Sequence, residues 1–178
     1  MRKPTIPNYE LLESIGQGST GEAWLAEYQG KGPLVIKCLR KDAINTHILS
    51  DALVKIFKSN DVPGIAKIYD FNISGNAPFI TYKLYSEAIT SDKGITKLKT
   101  RSLNVLSRKI SYEDSWLIAL KVAESLKTLH SKDLYHCNLK PRNILFDEGI
   151  DPSPMLTDFA QGYLGGNEQI NLNDSLFF

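Results

Sequence analysis

Two stretches in the first quarter of the chain carry residue types that bind phosphate groups. The pattern G-x-G-x-x-G occurs at Gly16, Gly18 and Gly21, and glycines at this spacing let backbone N–H groups approach an anion closely. Lys37 lies in the apolar stretch L-V-I-K-C-L, where an ammonium group is costly unless it meets an anion. The alternatives are an ordinary glycine-rich turn and an edge-strand lysine whose ammonium reaches water.

The elements that must hold these residues are predicted to be strands. Runs of apolar residues predict five of them, at residues 9–15, 23–28, 34–39, 65–71 and 78–84. A tight turn is expected at residues 30–33, and Val35 and Lys37 would share one face of the third strand. An amphipathic helix after that strand is predicted from the apolar residues Ile44, Ile48, Leu49, Ala52, Leu53, Ile56 and Phe57.

The second half of the chain has a different pattern. Residues 85–109 are polar with weak periodicity, and we interpret them as a linker with one irregular helix. Ser111 followed by Glu113 and Asp114 resembles a capping box and predicts the start of a long helix that ends near Lys132. The buried side of this helix is predicted from the spacing of Trp116, Leu120, Ala123, Leu126 and His130. Short strands and loops are expected at residues 134–156.

The composition limits the classes to which the protein can belong. The 178 residues are 42% hydrophobic and 23% charged, as in ordinary globular proteins. The net charge of +1 gives no overall field toward nucleic acid, so no nucleic-acid partner is expected. Cys38 and Cys137 are too few for a disulfide framework, and a reducing, cytoplasmic setting is the expectation. No apolar run approaches the roughly 20 residues of a membrane span.

A longer motif in the second half points to a family. Residues 136–145 read H-C-N-L-K-P-R-N-I-L, and residues 156–160 read L-T-D-F-A. They resemble the catalytic loop and the metal-binding D-F-G turn of protein kinases, and they follow the glycine loop and the strand lysine in the family's order. The leucine-lysine-proline form resembles the serine/threonine branch. The resemblance implies an α+β, two-lobe fold, with a five-strand antiparallel lobe and one helix at residues 1–84 and an incomplete helical lobe at residues 85–178.

The same resemblance implies a site for ATP and Mg²⁺. Lys37 would hold the α- and β-phosphates, and Lys140 would reach the γ-phosphate. Asn143 and Asp158 would hold the metal. The residues expected to cover the phosphates are Gly16, Gly18 and Gly21. The residues expected around the adenine are Ala23, Val35 and Leu145, with Tyr82 at the gatekeeper position and Lys83, Leu84 and Tyr85 as the hinge.

Three departures from the family pattern fall on the transfer apparatus. Asn138 stands at the position of the catalytic aspartate, and an amide cannot accept the substrate's hydroxyl proton, a contribution typically worth ~10²–10⁴-fold. Cys137 replaces the arginine that pairs with a phosphorylated activation loop. Leu53 stands where the helix glutamate would pair with Lys37, and Asp51 is the alternative carboxylate. Together these departures predict impaired phosphate transfer.

Other departures affect the shape of the site and the extent of the domain. Val35 narrows the expected adenine pocket, and Tyr82 blocks the pocket behind it. Ala160 replaces the glycine of the D-F-G turn, which restricts its backbone. The family's next motif, A-P-E, would be expected just beyond Phe178, so we interpret the sequence as a piece of a longer kinase chain, with a partner that supplies the missing part of the helical lobe as the alternative. An apolar face left uncovered on the helix at residues 111–132 would then be an interaction surface.

Three functions are compatible with these residues. The leading hypothesis is a pseudokinase-type domain that binds ATP and Mg²⁺, transfers phosphate poorly, and acts as a scaffold or regulator for a protein partner. The alternative is an active serine/threonine kinase, because Lys37, Lys140, Asn143 and Asp158 are retained and phosphoryl transfer depends mostly on positioning and electrostatics. The second alternative is a protein-interaction domain without nucleotide, which the narrowed adenine pocket favours.

Overall fold

The computed structural model describes residues 3–18, 20–58, 62–90, 96–106, 110–147 and 153–158. These residues form two compact units. The first contains the described residues up to 58 together with Lys67–Leu84, and the second contains Val62–Ala66 together with the described residues from Tyr85 onward. The predicted D-F-A turn at Phe159 and Ala160 lies outside the described residues.

The first unit is a five-stranded antiparallel sheet with one α-helix, as the sequence predicts. The elements are β1 (Tyr9–Gly18), β2 (Gly21–Tyr28), β3 (Lys31–Leu39), α1 (Thr46–Lys58), β4 (Ile68–Asn72) and β5 (Phe79–Lys83). The strand order across the sheet is β1-β2-β3-β5-β4. A core of buried apolar side chains covers one face of the sheet and includes Leu11, Ala26, Leu34, Ile36 and Phe79.

The turn between β2 and β3 lies earlier than predicted. Tyr28 pairs with Lys31, so the turn residues are Gln29 and Gly30, which have φ angles of 48° and 71°. Two positive φ angles give the turn whose twist matches that of the flanking strands. The prediction of a turn at residues 30–33 was wrong, because glycine and proline at 32 and 33 lie inside β3 rather than in the turn.

Helix α1 buries a narrower face than its apolar pattern predicts. Its buried residues are Leu49, Ala52, Leu53 and Ile56. Ile48 and Phe57 are 41% and 49% exposed, and Ile44 precedes the helix. Phe57 instead packs edge-on against Phe71 of β4, with ring centroids 5.8 Å apart. The predicted apolar stripe was therefore wider than the buried face of the helix, because the prediction included these residues at its margins.

The second unit contains a hairpin that the sequence pattern did not predict. Strand β6 spans Ser86–Thr90 and strand β7 spans Thr96–Thr100, and they pair antiparallel. Arg101 forms an ion pair with Glu87, with 3.3 Å between Nη1 and Oε2. The interpretation of these residues as a linker was wrong, because polar residues occupy most positions and weaken the alternation that marks a strand.

Two helices follow the hairpin, α2 at Leu103–Leu106 and α3 at Tyr112–His130. The predicted start of the long helix is confirmed, since the Ser111 hydroxyl accepts a hydrogen bond from Asp114 N at 3.0 Å. Its predicted buried side was wrong at Trp116 and Leu120, which are 65% and 58% exposed. The buried residues of α3 are Ile118, Val122, Ser125, Leu126 and Leu129. Apolar residues lie on both sides of α3, so periodicity alone did not identify the covered side.

The last described elements are two short strands, β8 at Ile144–Phe146 and β9 at Pro154–Leu156, which pair antiparallel. Short strands in this part of the chain were predicted. Residues Val62–Ala66 join them, because Ala66 N donates to the Leu156 carbonyl oxygen at 2.8 Å. Within the described ranges, no helix has the length and apolar character needed to cross a bilayer.

Gly64 holds the start of the second unit against α3. It has a φ angle of 75°, and its carbonyl oxygen accepts a hydrogen bond from Leu156 N at 2.7 Å. A Cβ atom at this position would overlap the Ser125 hydroxyl. Glycine is therefore required here both by the backbone angle and by the available space.

Gly64→Ala is expected to lower the free energy of unfolding by about 1–3 kcal/mol, the usual cost of forcing a side-chain-bearing residue into a sparsely populated backbone region. Urea unfolding followed by circular dichroism measures this loss. Gly32→Ala is the matched control, because an added Cβ there would meet none of the described atoms within 4 Å. Equal losses in the two variants would contradict the explanation.

Candidate active site

The glycine loop joins β1 to β2. Gly18 pairs with Gly21, and Gly16 pairs with Ala23, across the ladder. A Cβ atom on Gly16 would meet none of the described atoms within 4 Å, and one on Gly18 would meet the Gly21 carbonyl oxygen at 4.0 Å. The space over Gly16 and Gly18 is therefore open to a ligand, as a phosphate-covering loop requires.

Gly21 is a glycine for a different physical reason. A Cβ atom there would overlap the backbone carbonyl oxygen of Cys38 on β3. The adjacent Thr20 is buried, and its carbonyl oxygen accepts a hydrogen bond from Arg40 N at 2.9 Å. Gly21 therefore lets β2 pack closely on β3, and its expected role at the phosphates stays a prediction.

Lys37 lies on the face of the sheet opposite the core. Leu34 and Ile36 belong to the buried cluster, so alternation along β3 turns Val35 and Lys37 to the other face. Ala23 pairs directly with Lys37, which brings three predicted site residues to one face. Lys37 is only 8% exposed there, and a buried ammonium group favours an anionic ligand.

Helix α1 carries the residues considered as partners for Lys37. Leu53, at the position of the family's glutamate, is fully buried. Asp51 has a side chain that is 70% exposed, and its carboxylate lies 3.5 Å from His47 Nδ1. Asp51 therefore lies on the solvent side of α1, and the structure gives no support to Asp51 as a substitute partner for Lys37.

Strand β5 leads to the predicted hinge. Tyr82, at the expected gatekeeper position, is buried and pairs with Val35. Lys83 is half-buried, and its backbone N–H donates to the Lys67 carbonyl oxygen at 2.9 Å. The N–H of Lys83 is thus engaged within the first unit, and the expected contact of Lys83 with adenine stays a prediction.

The second unit gathers four of the predicted residues into one hydrogen-bonded network. Lys140 Nζ donates to Asn138 Oδ1 at 2.8 Å, and Asn138 Nδ2 donates to the Asp158 carbonyl oxygen at 3.4 Å. Asn143 Nδ2 donates to the Asn138 carbonyl oxygen at 2.8 Å. Asn138 is therefore the centre of the network, and its side-chain oxygen and nitrogen both have partners.

His136 is a positioning residue that the sequence reasoning did not single out. Its side chain is fully buried, and its Nδ1 accepts a hydrogen bond from Asn138 N at 3.3 Å. The contact fixes the backbone that carries Asn138. The available signal was its place as the first residue of the H-C-N-L-K motif.

The backbone at two site residues is strained. Cys137 and Asp158 have φ angles of 55° and 60°, a left-handed conformation that costs a non-glycine residue on the order of 1–3 kcal/mol. Cys137 is also buried. Such strain persists only where the surrounding structure enforces it, and it concentrates at functional sites. Here one strained residue, Cys137, directly precedes Asn138, and the other, Asp158, is the predicted metal-binding aspartate.

Leu145 and Tyr85 are connected through the end of the unpredicted hairpin. Leu145 is the half-buried middle residue of β8 and forms a bridge with Ser102. Arg101 N donates to the Tyr85 carbonyl oxygen at 3.1 Å, and the Arg101 carbonyl oxygen accepts from Phe146 N at 2.8 Å. The hairpin therefore sets the backbone around two residues expected to contact the adenine.

Comparisons with known proteins match these features. A family model described as the protein kinase domain matches residues 9–169. Serine/threonine-protein kinase PkaB of Streptomyces coelicolor is 28% identical over 161 residues, which are 85% of this chain and 36% of that protein. Serine/threonine-protein kinase ULK3 of Xenopus laevis is 27% identical over 161 residues, 88% of this chain and 32% of that protein. Serine/threonine-protein kinase PknD of Chlamydia trachomatis is 29% identical over 173 residues, 94% of this chain and 18% of that protein.

The chain spans less than half the length of each of these relatives. The family model nevertheless covers both units and runs from the start of β1 past Asp158. With the glycine loop, the buried strand lysine and the Asn138 network in place, the chain belongs to the protein kinase family.

Proposed function

We propose that this chain is a pseudokinase-type domain that binds ATP with Mg²⁺ and transfers phosphate poorly. The observation that carries the proposal is the pair of hydrogen bonds made by the Asn138 side chain. Its Oδ1 accepts from Lys140 Nζ at 2.8 Å, and its Nδ2 donates to the Asp158 carbonyl oxygen at 3.4 Å. An amide bonded in this way can hold its neighbours in place, but it cannot accept the proton of an attacking hydroxyl.

The donor set of the second unit fits Mg²⁺. Asp158 offers a carboxylate and Asn143 an amide oxygen, and Mg²⁺ is commonly held by one or two carboxylates with waters and substrate phosphates completing its shell. When bound, the metal would neutralise charge on the β- and γ-phosphates. Asn143 is fixed for this task because its Nδ2 is held by the Asn138 carbonyl oxygen.

The residues of the first unit fit a polyphosphate. Lys37 presents a nearly buried cation on the face away from the core, and Gly16 and Gly18 leave open space above the loop backbone. A cation with few waters around it attracts phosphate more strongly than one in bulk solvent. These residues bind and orient the nucleotide in the proposed function, and none of them moves a proton.

An active serine/threonine kinase is the second candidate. Lys140 Nζ, Asn143 Nδ2 and the Asp158 carbonyl oxygen are all bonded to Asn138, which supports a role for these residues in handling charge. Phosphoryl transfer depends mainly on positioning and charge stabilisation, and an asparagine can orient a hydroxyl even though it cannot deprotonate it. This candidate predicts measurable transfer without any substitution at Asn138.

Two observations support a proposal for the partner and the cellular compartment of the domain. The relatives are serine/threonine-protein kinases by name, and we propose that this chain also has a protein partner or substrate. Neither Cys38 nor Cys137 forms a disulfide, which supports the proposal of a reducing, cytoplasmic compartment.

A thermal-shift titration tests nucleotide binding. ATP with Mg²⁺ is expected to raise the midpoint of unfolding, because a ligand at a hundredfold excess over its Kd adds about 2.7 kcal/mol of stability. The shift should shrink when EDTA removes Mg²⁺, since the charge on the phosphates would then lack a neutralising cation. No shift at millimolar nucleotide would reject the proposal and favour an interaction domain without nucleotide.

A further inference from the structure

A second candidate site lies in the first unit at the open end of the β1–β2 hairpin. Tyr9 and Tyr28 pair at this end, whereas Gly18 and Gly21 pair at the glycine loop. A pocket of about 410 Å³ opens beside Tyr9, and we call it the Tyr9 pocket. It lies in the volume range typical of small-ligand sites. Its position along the hairpin separates it from the residues expected to bind phosphates.

The Tyr9 pocket is lined in part by aromatic residues. Tyr9, Tyr28, Phe71 and Phe79 all line it. The ring centroids of Tyr9 and Tyr28 are 5.0 Å apart with the planes inclined at 51°, and those of Tyr9 and Phe79 are 5.6 Å apart at 64°. Aromatic rings that line a pocket attract a cation that lies over a ring face within about 6 Å of its centroid.

One carboxylate completes the pocket. Of the described residues that line it, Asp70 alone carries a formal charge. Tyr9 OH donates to Asp70 Oδ2 at 3.0 Å, and Phe71 N donates to Asp70 Oδ1 at 2.8 Å. Burial and the neighbouring Asp70 raise the pKa of Tyr9 to about 12, so the phenol stays neutral and keeps donating to the carboxylate at physiological pH.

We propose that the Tyr9 pocket binds a methylated ammonium group. Each Asp70 oxygen accepts one hydrogen bond, and the carboxylate also offers its negative charge to a bound cation. A quaternary ammonium has no N–H to satisfy, and it is recognised by a nearby negative charge together with aromatic rings. Asp70 and the four aromatic residues of the lining are groups of these kinds.

A second concavity beside the Tyr9 pocket indicates on which side of Asp70 the cation would lie. It shares Tyr9, Tyr28 and Asp70 with the Tyr9 pocket, but Lys31 and Tyr69 also line it. Lys31 would repel a bound cation. The methylated ammonium would therefore sit on the Phe71 side of Asp70, away from Lys31. This site does not depend on nucleotide binding.

Titration of the whole chain with choline, followed by NMR, tests the proposal. Shifts are expected at the amides of Tyr9, Tyr28 and Phe71. The neutral carbon analogue of choline, which has the same shape without the charge, should bind at least tenfold more weakly. Ammonium chloride at equal ionic strength should produce no saturable shift. Equal binding of choline and its neutral analogue would overturn the proposal, and so would equal binding of ammonium.

Two variants and a control locate the effect. Asp70→Asn keeps the size of the side chain and should weaken choline binding at least tenfold. Tyr28→Leu removes one ring and should also weaken it. Glu10→Gln removes an exposed charge of β1 that does not line the pocket, and it should leave binding unchanged. Unchanged binding in Asp70→Asn would reject the site, and the comparison of choline with its analogue on the unaltered chain remains decisive if a variant does not fold.

The methylated ammonium could come from a trimethyl-lysine side chain or from a choline headgroup. A trimethyl-lysine peptide that binds more tightly than its unmodified form supports the proposal and identifies a protein ligand. Phosphocholine micelles that bind more tightly than free choline support it and identify a lipid. Failure of choline, the peptide and the micelles to bind would overturn it.

Discussion

Asn138→Asp is expected to raise the rate of phosphate transfer by roughly 10²-fold, the lower part of the range that a positioned general base contributes. The substitution is nearly isosteric, and a carboxylate would keep the contact with Lys140 Nζ, now 2.8 Å from Asn138 Oδ1. The same carboxylate could accept the proton of an attacking hydroxyl. Transfer from γ-labelled ATP to the chain itself or to a general protein substrate measures the change.

The Asn138→Asp variant also loses one contact, and that loss limits the gain. Asn138 Nδ2 donates to the Asp158 carbonyl oxygen at 3.4 Å, and a carboxylate oxygen would face that carbonyl without a hydrogen. Asp158 has a φ angle of 60°, so its backbone depends on surrounding contacts. The gain is therefore placed at the lower end of the range.

Asn138→Ala is the matched control, because it removes the amide without adding a base and should leave transfer at or below the starting rate. A variant with aspartate that binds nucleotide but gains no activity would show that the base is not the limiting defect. The Leu53 position, which has no carboxylate to pair with Lys37, would then be the leading cause. Fast transfer by the unaltered chain, near the roughly 1–100 s⁻¹ of ordinary kinases, would favour the active-kinase alternative.

Lys37→Met is expected to weaken binding of ATP with Mg²⁺ by about 10- to 100-fold, because hydrogen bonds to charged groups contribute about 1.5–3 kcal/mol. Methionine keeps the length and apolar stem of the side chain and removes its charge. Lys37 is 8% exposed, so water screens its attraction for phosphate weakly. Calorimetric titration with ATP and Mg²⁺ measures the affinity.

Lys31→Met is the control for this variant, since Lys31 lies on the same strand but is exposed. Its affinity for nucleotide should match that of the unaltered chain. The thermal midpoint of each variant without nucleotide should be recorded as well, so that a folding defect is distinguished from a binding defect. Equal affinity in Lys37→Met and the unaltered chain would remove Lys37 from the proposed site.

The sequence by itself determined the family, the sheet and the long helix. The motifs around Gly16, Lys37 and Asn138 depend on residue type, spacing and order, and all three are properties of the chain before it folds. The start of α3 was also determined locally, because a serine hydroxyl three residues before Asp114 can cap only the helix that begins beside it.

Only the tertiary structure decided which side of an element is covered. The two apolar sides of α3 look alike in sequence, and burial of Ile118 rather than Trp116 depends on what packs against the helix. The β6–β7 hairpin was missed for a related reason, since a strand rich in polar residues is defined by its partner strand more than by its own pattern.

Glycines and polar side chains show the same division between what the sequence determines and what the tertiary structure decides. The sequence placed Gly16, Gly18 and Gly21 in one motif, but the structure separates two open positions from Gly21, which is required by the Cys38 carbonyl of the neighbouring strand. The motif also marked Asn138, whereas its bonds to Lys140 and Asp158 were visible only after folding. Residue type and local spacing act through near neighbours in the chain, while packing, register and hydrogen bonds between distant segments exist only once the chain has closed on itself.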